Sequence, residues 1–249
     1  MPVLNQPSSS FEESNASFFT EGVFYGDGKI KNDWVVPLEL VPAGEGLLLD
    51  LGCGQGETKK VLEAKGYRWI GLDIKKNSSV TVVADAHRLP FKDSALSVVY
   101  SRQVFEHLVQ PWKAAGEVFR VLQSGGMFCG SMSGLEPFHH SYFNYTHWGV
   151  EELLRQAGLL PRRIEAGASA FLIMLHHLVD GAGPQLSTPL AKFSVKPLMT
   201  LLRFFGKLFI FLRYGGRSHE MKKIDGYFAK FALRFAGHIQ FVAEKPVSK

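Results

Sequence analysis

Three glycines at alternate positions are the clearest chemical signal in this sequence. Gly52, Gly54 and Gly56 stand in the run DLGCGQG, which begins at Asp50 inside a short apolar stretch. Glycine lets the backbone turn sharply and approach a ligand closely, and a helix that begins here would present free N–H groups to that ligand. The dinucleotide fingerprint would need its third glycine at position 57, which is Glu. The spacing therefore indicates a nucleotide-like ligand held by a different glycine pattern.

Two carboxylates follow at the ends of the next predicted strands. Asp73 ends the second strand and Asp85 ends the third. The GxGxG spacing, the acidic Asp50 before it and these two residues together resemble the class I S-adenosylmethionine-dependent methyltransferases. The resemblance runs from about Leu47 to Leu160 and resumes at the last strand.

The resemblance assigns each of these residues to a part of the cofactor. Asp50 and the backbone from Gly52 to Gly56 correspond to the loop that holds the methionine portion. Asp73 corresponds to the acidic residue that accepts both ribose hydroxyls, and a carboxylate suits a vicinal diol because it accepts two hydrogen bonds. Asp85 and Ala86 correspond to the adenine-binding turn, and Ser101 is also placed among the cofactor-binding residues.

The segment from Leu89 to Leu108 resembles the quinone- and small-molecule-type branch of this family, including its Glu-His pair, Glu106 and His107. Ser97 departs from that pattern, because the branch usually has Asp before the apolar fourth strand. This departure does not change the expectation of cofactor binding. A methyltransferase needs mainly to align its acceptor with the methyl group.

A hydroxyl acceptor must also lose its proton, and His is the usual base near neutral pH. The candidates are His107 after the fourth strand and the histidines after the fifth, His139, His140 and His147, with Tyr142 and Tyr145 as groups that shape and orient the site. The alternative for His107 is a residue at a helix start that bonds to the backbone.

The loop HHSYFNYTHW, which spans 139–148, resembles a segment of methyltransferases encoded with polysaccharide and lipid biosynthesis. Its histidines could instead bind a metal. A metal site formed by His139, His140 and His147 is disfavoured, because the loop contains no Asp or Glu other than Glu136 to complete the ligand set. We therefore predict no metal site.

Strands that alternate with helices must position these residues. Short apolar runs with intervening helical spacing predict right-handed βαβ units. The expected fold is α/β, a doubly wound, mostly parallel seven-stranded Rossmann-like sheet with a helical insertion before the last strand. The predicted strands are 47–51, 68–74, 80–85, 95–101, 127–131, 161–166 and 238–244, and the predicted helices are 58–65, 112–122 and 149–157.

We expect the chain to be divided into three parts with different roles. Residues 1–44 form an N-terminal lead-in or lid, within which 32–40 has the pattern of a short helix. Residues 45–168 together with 237–246 form the S-adenosylmethionine-binding α/β domain. Residues 169–236 form a basic amphipathic helical insertion, since a direct connection between two strands rarely exceeds about a dozen residues without structure of its own.

The net charge of +5 is concentrated in that insertion. Between 188 and 238 the sequence has ten Lys and Arg residues and two Asp and Glu residues, which gives a local charge of +8. The rest of the chain carries −3. Helical spacing over 198–212 places Leu and Phe on one face and basic residues opposite. This pattern is typical of helices that lie on anionic membranes, and the stretch is shorter than the ~20 residues of a spanning helix.

Two alternatives stand beside a membrane surface bound through 192–235. The insertion could cover the acceptor pocket or form a dimer interface, with its basic side chains simply solvated. Nucleic-acid binding is not expected, because the aromatic residues share the apolar face and do not interleave with the basic ones.

Composition sets the remaining limits. The chain has 46% hydrophobic and 20% charged residues, which excludes a disordered or low-complexity chain. Cys53 and Cys129 are too few for a disulfide scaffold, and the first residues lack a signal-peptide pattern, so we expect a cytoplasmic protein that is peripheral on the membrane if the insertion binds lipid.

The predicted function is S-adenosylmethionine-dependent methylation, on O or N, of a small or lipid-linked acceptor. Two alternatives remain. One is a soluble small-molecule methyltransferase whose insertion is a lid, and the other is a catalytically silent cofactor-binding or interaction module.

Overall fold

The structure is a computed structural model. It describes residues 20–26, 37–136, 140–170 and 228–247, together with the isolated helical positions 173, 201, 204–205, 207–209, 211–212 and 226. His139 lies outside the described residues, as do most of the basic residues predicted in the insertion. Of the short helix expected over 32–40, residues 37–40 are described and form a 3-10 helix, Pro37–Leu40.

Seven strands of the described chain form one sheet in the order β3-β2-β1-β4-β5-β7-β6. Strands β1 to β5 pair in parallel, and β7 runs antiparallel between β5 and β6. This confirms the predicted mostly parallel α/β sheet. The strands are β1 Leu47–Leu51, β2 Arg68–Asp73, β3 Val82–Val83, β4 Leu96–Arg102, β5 Leu122–Ser133, β6 Leu160–Ala166 and β7 His238–Glu244.

Helices connect the strands close to the predicted positions. Helix α1 is Lys59–Ala64, α2 is Pro111–Val121 and α3 is His147–Gln156, and a 3-10 helix, Phe105–His107, follows β4. Helix α3 begins two residues before the predicted start, because Thr146 caps it by accepting a hydrogen bond from the Gly149 N–H at 3.1 Å. In α2 the proline stands at the first helical position, where no N–H is needed.

The sheet is buried on both faces, which explains the unbroken apolar runs of its central strands. Alternate residues of β1 enter different core clusters, with Leu49 in the larger one and Leu48 in the smaller. Strand β4 divides in the same way, with Val99 on the larger side and Val98 and Tyr100 on the smaller.

Two strands differ from the prediction in length. Strand β3 has two residues where six were expected, because within 80–85 only Val82 and Val83 pair with the end of β2, at Leu72 and Asp73. Strand β5 begins five residues early, at Leu122, and its register with β4 shifts between Leu96 and Val98. Gly125 makes this irregular start feasible with a φ of +74°.

The described N-terminal segment, 20–26, lies along β6. The Phe24 N–H donates to the Arg162 carbonyl at 3.0 Å, and the Phe24 carbonyl accepts from the Ile164 N–H at 2.8 Å. The buried Tyr25 hydroxyl donates to Glu151 on α3 at 2.7 Å. This segment therefore lies at the β6 edge of the sheet, opposite the β3 edge.

The chain leaves the sheet after β6 and returns before β7 at one place. Ser169 pairs with Ala236, the Ala170 N–H donates to the Phe235 carbonyl at 2.8 Å, and the Gly237 N–H donates to the Ala168 carbonyl at 2.7 Å. Side chains on both sides of this pairing are buried, including Ile173 before it and Leu233 after it. Both ends of the expected insertion are thus anchored in the core.

Residues 228–234 are helical. Within the described ranges we find no helix whose length and hydropathy would let it traverse a lipid bilayer.

Candidate functional site

A cavity of about 310 Å³ opens at the carboxyl ends of β1, β2 and β4. In open α/β sheets this edge is where ligands bind, and the volume is in the range of small-molecule pockets. Most of the lining residues have apolar side chains: Leu51, Leu72, Ile74, Ala84, Ala86, Val104 and Leu108. The remaining lining residues are Gly52, Asp73, Asp85, Gln103 and His107.

The glycine loop curls over the end of β1. Gly52, Gly54 and Gly56 have φ values of +74°, +52° and +71°, the left-handed region that favours glycine. The N–H groups of Gly52 and Cys53 both donate to the Leu72 carbonyl, at 2.8 and 3.0 Å, which fixes the loop against β2.

The space around these glycines differs. A Cβ atom on Gly52 would collide with the Val104 side chain, whereas a Cβ on Gly54 would have no neighbour within 4 Å. The backbone at Gly54 is therefore open to a ligand, and the backbone at Gly52 is closed in by the segment after β4.

Asp73 stands at the end of β2 with its carboxylate fixed by two backbone groups. Oδ2 accepts from the Gly54 N–H and Oδ1 accepts from the Lys75 N–H, both at 3.0 Å. Asn77 donates from its side chain to the Gly54 carbonyl at 2.8 Å, which closes the loop on the other side. Each carboxylate oxygen can accept a further hydrogen bond, so Asp73 is prepared to hold a pair of hydroxyls.

Asp50 is buried beneath the loop and does not line the cavity. Its Oδ2 accepts from the Thr58 hydroxyl and, at 3.1 Å, from the Trp69 indole N–H. Burial raises the pKa of the Asp50 carboxyl, although these two hydrogen bonds oppose the rise. Because Thr58 immediately precedes α1, Asp50 holds the loop to the start of that helix.

Asp85 and Ala86 line the cavity after β3. The Asp85 Oδ1 accepts from the His87 N–H at 2.9 Å and lies 2.6 Å from the His87 Nδ1. These hydrogen bonds lower the pKa of the Asp85 carboxyl. Ser101, by contrast, is buried within β4 and is not a lining residue.

Of the candidate bases, His107 lines the cavity. Its Nδ1 lies 2.8 Å from the carbonyl oxygen of His140. A carbonyl only accepts, so Nδ1 carries the proton and the neutral ring has its lone pair on Nε2. His140 therefore contributes its backbone here, and its own side chain is exposed.

The loop after β5 is tied to the 3-10 helix after β4. The Glu106 carbonyl accepts from the N–H groups of Tyr142 and Phe143 at 2.8 and 3.2 Å, and the Tyr145 hydroxyl donates to the Phe105 carbonyl at 3.3 Å. The Tyr142 side chain is exposed. His147 is buried in α3 against Tyr25 and Trp148. Across the described part of the chain, no three His, Cys, Asp or Glu side chains come together as a metal site.

Gln103 was not singled out from the sequence, and Glu106 was named there only as part of the Glu-His pair, without a role of its own. Gln103 lines the cavity with a φ of +53°, held by hydrogen bonds to Ser131 from its backbone at 3.0 Å and from its side chain at 3.1 Å. Glu106 is fully buried, and burial raises its pKa to about 8, with Glu136 adding to the rise. The place of Gln103 directly after β4 was the signal that could have revealed it.

The sequence comparisons agree with this geometry. Residues 49–130 match the family of the methyltransferase domain. An uncharacterized methyltransferase of Mycolicibacterium vanbaalenii is 30% identical over 152 residues, which are 54% of this chain and 58% of that protein. A second uncharacterized methyltransferase, of Mycobacterium sp. strain JLS, is 26% identical over 69% of this chain and 74% of its own length. The match to the first relative thus spans less than two thirds of its length.

Solved structures share the fold at low sequence identity. The [4+2]-cyclase SpnF has a TM-score of 0.55 at 18% identity, covering 91% of this chain and 87% of its own. A Haloferax volcanii putative methyltransferase, in complex with the Trm112 methyltransferase activator, has a TM-score of 0.52 at 21% identity, covering 85% of this chain and 87% of the matched one. These similarities concern the sheet and its helices.

Proposed function

We propose, from the premise that this chain contains a class I S-adenosylmethionine-dependent methyltransferase domain, that it transfers the methyl group of S-adenosylmethionine to a small or lipid-linked acceptor. The observation that carries the proposal is the hydrogen bond from the Gly54 N–H to Asp73, a residue that lines the cavity. A carboxylate held by backbone N–H groups lies there beside a stretch of backbone that a ligand can approach.

The residues present suit the cofactor. Asp73 would accept hydrogen bonds from the ribose hydroxyls, and the open backbone at Gly54 would lie beside the methionine portion. Asp85 and Ala86 would face the adenine at the far end of the lining. Asp50 would act from below, by holding the glycine loop against Thr58 and Trp69. When bound, S-adenosylmethionine supplies a methyl group on an electrophilic sulfonium.

His107 is the base that the geometry supports for a hydroxyl or amine acceptor. It lines the cavity, and its bond to the His140 carbonyl assigns the lone pair to Nε2. The same bond fixes the ring relative to the loop after β5. A base held in this way contributes typically 10²–10⁴-fold to a proton transfer, roughly.

Exposed apolar side chains on the elements beside His107 support an acceptor with an apolar part. Val109 and Trp112 follow it in the chain, and Tyr142 lies on the loop bonded to the same 3-10 helix. Trp112 packs edge-on against Phe143 with ring centroids 6.5 Å apart. Such a rim would favour an alkyl or aromatic acceptor over a strongly hydrated one.

The described helical positions of the insertion support a lipid-linked acceptor at an anionic membrane surface. Phe204, Phe205, Phe209 and Leu212 are each more than half exposed, and Lys207 lies among them. Cationic helices with exposed Phe and Leu partition into the headgroup region of anionic bilayers. The alternative is that the insertion only covers the acceptor pocket.

Titration calorimetry with S-adenosylmethionine tests the cofactor assignment. We expect wild type to bind, and Asp73→Asn to lose at least ~10-fold in affinity because two charge-assisted hydrogen bonds to the ribose weaken. Glu63→Gln is the matched control, since Glu63 is an exposed carboxylate on α1 that does not line the cavity. Equal heats for wild type and Asp73→Asn would overturn the assignment.

Turnover requires a separate experiment. Cell extract incubated with wild-type protein and methyl-labelled S-adenosylmethionine should yield a labelled product that carries one additional methyl group in place of a hydrogen of its acceptor. We expect His107→Gln to bind cofactor normally but to form product at least ~100-fold more slowly. Cofactor binding without any labelled product would favour the silent module.

A further inference from the structure

His87 bridges the cavity wall and the loop before α2. Its Nδ1 lies 2.6 Å from the Asp85 Oδ1, and its own N–H donates to the same oxygen at 2.9 Å. On the other side of the ring, the Gln110 N–H donates to Nε2 at 3.2 Å. The imidazole thus joins the turn after β3 to the residue that immediately precedes α2.

These contacts determine which ring nitrogen carries the proton. A backbone N–H is only a donor, so Nε2 must offer its lone pair to Gln110. The neutral ring then bears its proton on Nδ1 and donates it to Asp85. Doubly protonated imidazole would lose the Gln110 bond, because both nitrogens would then be donors.

The ring is better shielded than the carboxylate that it contacts. The His87 side chain is 19% exposed and that of Asp85 is 56% exposed. An exposed carboxylate on a turn would ordinarily rotate among several orientations. Two hydrogen bonds from His87 to one oxygen, from a ring that is itself anchored to Gln110, remove that freedom and leave Oδ2 for a donor in the cavity.

We propose that His87 is a positioning residue that fixes Asp85 to accept a hydrogen bond from the exocyclic 6-amino group of the cofactor's adenine. The proposal rests on the proposed function, since it assumes that S-adenosylmethionine occupies the cavity that Asp85 lines. A carboxylate only accepts hydrogen bonds. It therefore selects an amino group at this position and repels the 6-oxo group of hypoxanthine.

Two ligands that differ only at that position test the proposal. S-adenosylhomocysteine carries the 6-amino group, and its 6-desamino analogue carries hydrogen there and keeps N1 unprotonated. We expect wild type to prefer S-adenosylhomocysteine at least ~10-fold by calorimetry, the effect of one hydrogen bond to a charged acceptor. In His87→Ala the preference should fall below about threefold, through weaker binding of the amino ligand, with the affinity for the desamino analogue nearly unchanged.

Two further variants separate positioning from other effects. His87→Asn keeps an amide N–H beside Asp85 but loses the Gln110 contact, so we expect it to retain part of the preference. Lys113→Gln removes a positive charge that also lowers the Asp85 pKa, while leaving both His87 hydrogen bonds in place. It should keep the wild-type preference. Thermal unfolding of each variant verifies that it is folded at the temperature of the titration.

The outcomes distinguish this proposal from the proposed function. If wild type binds S-adenosylhomocysteine with the expected preference and His87→Ala keeps that preference, the role of His87 is wrong and the function stands. A wild type that binds both ligands equally overturns the assignment of Asp85 to the amino group. If wild type binds neither ligand, the proposed function fails and this inference fails with it.

Discussion

Glu106 has no exposed surface, and its pKa is raised from 4.5 to about 8 by burial and by the nearby Glu136. In the unfolded chain the carboxyl ionises near its ordinary value, whereas the folded protein keeps the proton until about pH 8. The folded state therefore binds more protons between these values. The contribution of Glu106 to stability is fully present below pH 4.5 and is lost as the pH rises through about 8.

Glu106→Gln should remove this dependence. Between pH 5 and pH 9 the free energy of unfolding of the variant, relative to wild type, should increase by at least ~2 kcal/mol, measured by urea denaturation. The exposed Glu63→Gln is the control, and its difference from wild type should stay constant over the same range. A constant difference for Glu106→Gln would show that the carboxyl ionises normally in the folded protein.

Gly52 and Gly54 share a left-handed backbone but not the same surroundings. Gly52→Ala meets Val104 and should lower the free energy of unfolding by about 2–4 kcal/mol, from backbone strain plus the collision. Gly54→Ala meets nothing and should cost about 1 kcal/mol. Its added methyl group would still occupy the space proposed for the cofactor, so its affinity for S-adenosylhomocysteine should fall at least ~10-fold.

Urea denaturation and calorimetry on the same two variants separate these effects. Equal stability losses in the two variants would contradict the difference in packing. Unchanged ligand affinity in Gly54→Ala would contradict the placement of the ligand against that backbone.

The individual site residues could be predicted from the sequence only in part. The glycine spacing and the position of Asp73 follow from local motifs, and Gly52 and Asp73 line the cavity. The environment of Glu106 and the left-handed backbone of Gln103 depend on the loop after β5 and on Ser131, which are distant in the chain. No local pattern encodes such contacts, and for the same reason Asp50 was expected beside the ligand and lies beneath the loop.

At the scale of elements, the segment 20–26 bears on the expectation of an N-terminal lid. Its contacts are with β6 and α3, whereas the cavity lies at the ends of β1, β2 and β4. Tyr25→Phe removes the hydroxyl that donates to the buried Glu151 and accepts from the Thr20 N–H. We expect a loss of about 1–2 kcal/mol in the free energy of unfolding, with no change in affinity for S-adenosylhomocysteine.

Tyr142→Phe is the matched control for this change, because its hydroxyl is on an exposed side chain and should contribute little to stability. A large loss of cofactor affinity in Tyr25→Phe would instead indicate that segment 20–26 acts on the cavity.

The elements themselves were predicted best where burial is two-sided. Strands β1, β4 and β7 are close to their predicted bounds, because apolar runs buried on both faces leave a clear pattern. Strand β3 was predicted too long. Residues 80–85 have the apolar pattern of a strand, but only Val82 and Val83 pair with β2. The early start of β5 depends on a shift in register against β4, which a single sequence does not reveal.

At the scale of the whole molecule, the uneven distribution of charge leads to a prediction about membranes. Vesicles that contain anionic lipid should carry the protein upward in a density gradient, and neutral vesicles should carry less, because the basic segment is attracted to the anionic surface. Phe205→Ser combined with Phe209→Ser should reduce flotation by at least ~10-fold, since two exposed aromatic side chains are lost.

Val61→Ser is the control for this prediction, since Val61 is an exposed apolar residue on α1. Lys207→Glu should weaken flotation on anionic vesicles without affecting neutral ones. Absence of flotation in wild type, or equal flotation in the double variant, would favour the role of the insertion as a cover for the acceptor pocket.

The pairing of Ser169 with Ala236 has a consequence for how such a protein can diversify. Because the chain departs and returns at one hydrogen-bonded point, we expect that the intervening residues can be exchanged without moving β6 or β7. The buried Ile173 and Leu233 mark how close to the junction an exchange could be made. We expect a chimaera joined at these positions to keep the seven-stranded sheet and the cavity at the ends of β1, β2 and β4.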